Sequence, residues 1–145
     1  EGLIVDGHSM YPTLHDRERL LVLKKHYDRE RLPARGDIVV FAAPTDGGPV
    51  VKRVVGLPGE WLQILGTQVF INGEPLEEPY AHGVNPAARF GRIPDGTIYV
   101  LGDNRDNSED SRVFGPVDAG AIRGRAVLVV WPPLPHLVPT AKGSS

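Results

Sequence analysis

The sequence predicts a single, mostly β domain of antiparallel strands arranged as a barrel or a pair of packed sheets. Short runs rich in Val, Ile, Leu and aromatic residues recur between Gly, Pro, Asp and Asn, the signature of strands punctuated by turns. The pairs Gly66-Thr67 and Asn72-Gly73 separate neighbouring runs and contain residues that tolerate positive φ, which favours hairpins. Helical periodicity is nearly absent, and 17 glycines and 14 prolines are spread along the 145 residues, which fits a turn-rich β architecture better than a helical bundle.

The strand-like runs lie near residues 3–6, 19–23, 37–41, 50–55, 61–65, 68–71, 97–100 and 125–131. They are rich in Val, Ile, Leu and aromatic residues, and most end at or near a turn former. Residues 74–93 read as an irregular excursion, because Pro75, Pro79 and Pro86 interrupt any ladder. A single domain is expected over 1–131, with about 60–97 forming a hairpin and that excursion. The Pro-rich tail 132–145 reads as a frayed end, with Gly143-Ser144-Ser145 as added residues.

Composition bounds the function. An apolar fraction of 41% against 23% charged residues predicts a chain that buries a core unaided. The net charge of -2 leaves no basic footprint for nucleic acid. The stretch from Lys24 to Arg31 is diluted by Asp28 and Glu30 and reads as a solvated loop, with anionic lipid headgroups as the functional alternative. With no cysteine, disulfides, thiol catalysis and cysteine-ligated zinc are excluded. The longest apolar run, Ala126 to Trp131, is far short of the roughly 18 to 20 residues that cross a bilayer. The chain opens at Glu1 inside a strand-like run, so removal of an N-terminal segment is expected.

Three segments carry the candidate chemistry. Ser9 stands between Gly7-His8 and a turn containing Pro12, where an extended chain bends and a hydroxyl is displayed. The structural alternative is that this hydroxyl bonds to nearby backbone. Lys52 lies in the run from Val50 to Val55, and alternation puts it on one face with Val50 and Val54, with Arg53 on the other. Desolvation there would lower the pKa of the amine and make it a usable general base. Snorkelling from a strand edge into water is the alternative. The third segment, Leu101 to Arg112, packs short polar side chains after a strand. Counted from Asp103, a calcium loop would meet Arg105, Ser108 and Phe114 where a ligand, a glycine and a glutamate belong. A scaffold that orders catalytic groups remains. His8 offers a Ser/His pairing, but neighbours in extended chain face opposite sides, and the other histidines are scattered without metal-ligand spacing.

Taken together and in order, Gly7 to Leu14, Arg35 to Phe41, Val51 to Glu60 with its Lys-Arg-Val-Val-Gly-Leu-Pro-Gly, and Gly102 to Arg112 resemble the boxes of bacterial type I signal peptidases. The resemblance implies a partly open barrel of packed sheets with a reduced extra β-domain. It implies a membrane-anchored serine endopeptidase of the Ser/Lys class that removes signal peptides after small residues at Ala-X-Ala sites. Ser9 would be the nucleophile, Lys52 the general base and Ser108 the residue that orients the lysine amine. Asp103, Asn107, Asp110 and Arg112 would form the active-site scaffold, and the Ser9 backbone N–H would be an oxyanion donor. Gly7 stands where some members carry a hydroxyl as second donor, so that donor is open.

Met10, Val5 and Val51 would line the substrate pocket, with the substrate added as a strand against residues 3–6 and 49–51. No metal or cofactor is implied. The implied partners are preprotein signal peptides and a phospholipid membrane surface, the chain being a monomer. The implied location is the outer face of the cytoplasmic membrane, this chain being a soluble form without its anchor. Two alternatives remain: a self-cleaving repressor-type Ser/Lys protease, and a non-catalytic β-domain that binds extended peptides.

Overall fold

The computed structural model describes residues 1–85, 88–131 and 136–139. The strands are β1 (Gly2–Ile4), β2 (Arg19–Lys24), β3 (Ile38–Ala42), β4 (Pro49–Gly56), β5 (Trp61–Leu65), β6 (Gln68–Ile71), β7 (Glu74–Pro75), β8 (Ala88–Arg92), β9 (Thr97–Leu101), β10 (Val117–Asp118), β11 (Ile122–Trp131) and β12 (His136–Leu137). One short helix, α1 (Ser111–Phe114), follows the polar segment after β9. The strand pairings are antiparallel, and most predicted strands keep their bounds to within a residue or two. The large sheet runs β1-β2-β11-β3-β4-β9-β10, with β12 on β11, and does not close on itself. A second sheet, of four strands, runs β7-β6-β5-β8.

Alternation along β3 explains how the large sheet is covered on both sides. Ile38 and Val40 pack with Val5, Met10, Leu14, Leu20, Val22 and Val129 in one core. Val39 and Phe41, one residue out of phase, pack with Tyr27, Val54, Ile98 and Val100 in another. A third core, including Val55, Leu62, Ile64, Val69 and Tyr99, joins the second sheet to the end of β4. Leu62 and Ile64 face inward while Trp61 and Leu65 are exposed, the pattern of a sheet with one wet face.

Two predicted irregular stretches contain ordered pairing. Within the excursion 74–93, β8 pairs with β5 despite a register shift between Leu62 and Gln63. Gly91, with a φ of 117°, stands opposite Leu62 at that shift, which breaks the strand pattern in the sequence. Asn72 and Gly73 both adopt positive φ, 53° and 82°, and turn the chain from β6 into β7. Within the tail read as frayed, β12 pairs with Leu128 and Val129 of β11, and Val138 is buried in the first core. Apolar burial and a free strand edge outweigh the local Pro-rich composition there. The rest of the segment expected to fray, 132–135 and 140–145, lies outside the described residues.

The register of β4 positions the site. Ile38 opposes Arg53 and Val39 opposes Lys52 on β3, whereas β9 pairs with β4 only from Arg53 onward. Among the described residues, Pro49–Lys52 therefore presents an unpaired edge, and β1 likewise pairs only with β2. Beyond β9, Asp103 turns back and takes both Nε and Nη2 of Arg53, at 2.9 and 2.7 Å, with neither side chain exposed. Replacing Asp103 with Asn leaves that guanidinium buried without a counter-charge and is expected to cost about 3–5 kcal/mol. Urea denaturation of the variant checks it.

Candidate active site

The turn after β1 is held from several sides. Gly7 N–H donates to Asp16 Oδ1 (2.8 Å), and Leu14 N–H donates to the Met10 carbonyl (2.9 Å). Met10 and Leu14 are buried in the first core, so apolar burial anchors the turn on either side of the cis Tyr11-Pro12 peptide. Ser9 remains half-exposed. Asn104 hooks the turn to the polar loop: its backbone N–H donates to the Ser9 carbonyl (2.9 Å) and its Nδ2 to the His8 carbonyl (3.0 Å). The loop comes this close because Gly102 has no side chain. A Cβ there would lie 2.2 Å from Ser108 Oγ and 2.5 Å from the Ser9 carbonyl oxygen.

Lys52 Nζ lies 2.7 Å from Ser9 Oγ. The lysine is only 5% exposed, so the snorkelling alternative fails. Burial lowers the amine from the ordinary lysine range to about 8, against the opposing pull of Asp110, Glu109 and Asp103, while Arg112 adds to the lowering. At neutral pH about a tenth of the amine is then unprotonated, compared with well under a thousandth for a free lysine. A neutral amine at this distance can accept the serine proton. With Lys52 engaging Ser9 Oγ, the adjacent His8 is exposed and does not complete a Ser/His pair.

The sequence-predicted scaffold residues differ in what they do. Asp110 accepts Nε and Nη2 of Arg112 at 2.9 and 2.7 Å, the Gly102 N–H at 2.9 Å and the Ser108 hydroxyl at 2.8 Å. Burial works to raise its pKa, but these hydrogen bonds and the adjacent guanidinium hold it below the usual carboxylate range, so it stays charged. Ser108 shares the cavity with Lys52, but its proton is committed to Asp110. Only its lone pairs remain to serve the amine. Asn107 is exposed, and the hydrogen bond it adds to the loop comes from its backbone N–H to the Asn104 carbonyl (3.0 Å). Asp103 accepts from Arg53 and from Thr13 Oγ1, and its N–H approaches Met10 Sδ at 3.4 Å.

A cavity of about 790 Å³ surrounds Ser9 and Lys52, lined also by Asp6, Arg17, Asp46 and Glu109. A smaller one of about 110 Å³ lies between β1 and the free edge of β4, with Leu3, Val5, Met10, Pro49 and Val51 in its wall. The three predicted pocket residues thus share one groove. Sequence reading missed Arg53, Thr13, Asn104, Arg105, Glu78, Tyr80 and Asn85. A fully buried arginine in an apolar strand signals a hidden counter-charge, but its partner lies 50 residues on and is not local.

The position of Lys52 between a lowering desolvation and raising carboxylates can be read without substrate. Titration of the Lys52 side chain by heteronuclear NMR is expected to give a midpoint near 8. Glu109→Gln removes one of the groups favouring the ammonium and is expected to move that midpoint down.

A family model described as "Signal peptidase, peptidase S26" matches residues 1–131. Signal peptidase I of Leptolyngbya laminosa is 42% identical over 142 residues, which cover 91% of this chain and 69% of that protein. Signal peptidase I T of Bacillus subtilis (strain 168) is 41% identical over 145 residues, covering 91% and 74%. The crystal structure of a signal peptidase I from Enterococcus faecalis V583 aligns with a TM-score of 0.55 at 34% identity, over 64% of this chain and 95% of that one. A match that takes in every strand but β12 and every residue of the site places the chain in a family: it belongs to the signal peptidases, peptidase S26.

Proposed function

We propose that Ser9 and Lys52 form a nucleophile and general-base dyad that cleaves preproteins after small residues. The chain's family is one of serine peptidases that remove signal peptides. The observation that carries the finer reading is the 2.7 Å approach of a buried lysine amine to Ser9 Oγ. Neutral Lys52 takes the Ser9 proton as Oγ bonds to the carbonyl carbon of the residue before the cut. The resulting oxyanion is received by the Ser9 N–H, which none of the backbone hydrogen bonds among the described residues uses. The lysinium then protonates the leaving amine as the C–N bond breaks, leaving an acyl-enzyme. A water that gives its proton to Lys52 attacks the ester, and Ser9 Oγ departs with that proton. Ser108, fixed by Asp110, offers its lone pairs to the amine. Asp103, Asp110 and Arg112 keep the loop in place, as does Asn107 through its backbone.

Substrate fits as an added strand between the unpaired edges of β1 and β4. The pocket walled by Val5, Met10 and Val51 holds about 110 Å³, a volume that admits compact side chains and disfavours bulky aromatic ones. Wild type is expected to cleave a preprotein bearing an Ala-X-Ala site, with kcat/KM rising as pH increases through about 8 because the base must be neutral. Ser9→Ala and Lys52→Met are expected to fall below about one ten-thousandth of that rate. Full activity in Ser9→Ala, or none in wild type with lipid or detergent present, sinks the reading.

The membrane surface is the second proposed partner. Among the described residues, no helix is long and apolar enough to cross a membrane. One outward face does carry an apolar row: Leu21, Leu128 and Leu137 stand directly opposite one another across β2, β11 and β12, with Leu23 and Ile4 alongside. Ile4, Leu21, Leu23 and Leu137 are exposed, and Ile4 adjoins the groove. This face would bring the groove to the lipid surface, where an apolar signal peptide emerges. Leu21→Glu with Leu137→Glu is expected to weaken co-sedimentation with phospholipid vesicles by about tenfold or more. Unchanged binding removes this face from the reading.

A further inference from the structure

The segment 78–85, read from sequence as irregular, is a strap laid across the back of the polar loop. Glu78 accepts Nη1 and Nη2 of Arg105 at 3.1 and 2.5 Å; the arginine side chain is fully buried and that of Glu78 is 5% exposed. The Tyr80 hydroxyl donates to the same carboxylate at 3.1 Å. The Tyr80 ring lies 3.9 Å from the Arg53 guanidinium and 5.9 Å from that of Arg105, cation–π distances at which desolvated pairs are strong. His82 N–H donates to the Asp103 carbonyl (2.7 Å), and the Arg105 N–H donates to the His82 carbonyl (2.6 Å). Asn85 Oδ1 reaches Nη1 of Arg105 and of Arg112 at 3.5 and 3.4 Å.

These contacts lead toward Ser9 and not toward substrate. Arg105 Nε holds the Gly102 carbonyl at 2.8 Å. Between Gly102 and Arg105 stands Asn104, the residue whose two donors grip the His8 and Ser9 carbonyls. No residue of the strap lines the cavity around Ser9 and Lys52 or the groove beside them. We infer that the strap is a positioning element for the nucleophile turn, with Glu78 its positioning residue, acting on Ser9 through Arg105 and Asn104. The inference rests on the Ser9 and Lys52 reading above.

Glu78→Gln and Glu78→Asp in the full chain test it, the second keeping a counter-charge for Arg105 so that a folded variant is in hand. Both are expected to lower kcat, by about 10- to 100-fold for Glu78→Gln and less for Glu78→Asp, as a misplaced reacting group does. KM should stay within about twofold, and the pH at which activity rises should not move. Amide hydrogen exchange at residues 8–11, followed without substrate, should quicken in both variants. Unchanged kcat in a folded variant, a raised KM at unchanged kcat, or unchanged exchange at the turn overturns the inference. If wild type cleaves nothing, the exchange result still decides the strap, and the loss falls on the protease reading alone.

Discussion

The buried pair of Arg53 and Asp103 is the interaction on which the rest of the site depends. Arg53 is bound to β4 by its backbone, and its guanidinium, unable to shed its charge, needs a carboxylate at full burial. Asp103 supplies it and thereby pins the chain leaving β9 against β4. Asn104, the next residue, then falls where it can grip the turn carrying Ser9. Lys52, the residue before Arg53, falls on the other face of the same strand. One ion pair thus sets the relative positions of three segments that the sequence keeps far apart. Its desolvation cost is offset by additional bonds from Thr13 to Asp103 and from Arg53 to the Gly36 carbonyl, the satisfaction that a buried charge demands.

Electrostatics at Lys52 is a contest with a useful outcome. Burial favours the neutral amine, and nearby carboxylates restore part of its affinity for a proton. A base must also return its proton, and a lysine near 8 can do both close to neutral pH. Asp110 is kept charged by Arg112 and the Gly102 N–H, so its contribution does not fade until the pH is well below the working range. Ser108 links that fixed charge to the cavity, which explains why a short polar loop, and not an apolar lid, stands behind the amine.

Much of this was legible from local pattern. Apolar runs bounded by turn formers located β2 to β6 and β9 almost to the residue, and period-two alternation separated Lys52 from Arg53 correctly because strand faces are set by local geometry. The turn at Ser9 and the polar character of 102–112 were equally plain. What local pattern could not supply was partnership. Arg53 with Asp103, Arg105 with Glu78 and Asn104 with the Ser9 carbonyl each join residues brought together only by the fold. The strands β8 and β12 were missed for the opposite reason: their sequences are poor strand formers, and the edges they complete, on β5 and β11, decide their conformation.

The split character of β4 has a consequence for how this fold can vary. Along eight residues the strand passes from a half paired with β3 and open on its other edge to a half paired with β9, and the two ladders meet at Arg53, immediately after Lys52. A slip of one residue against β3 would exchange the faces of those two side chains. It would put a permanent cation beside the serine and a titratable one in the fully buried ion pair. Length changes in the hairpin between β3 and β4 are therefore compatible with this site only if they leave the pairing of Val39 with Lys52 intact, however exposed the hairpin itself is. The tip of the hairpin is free to drift in sequence and the spacing behind it is not, so in this architecture the ladder acts as the ruler that tells two adjacent cations apart.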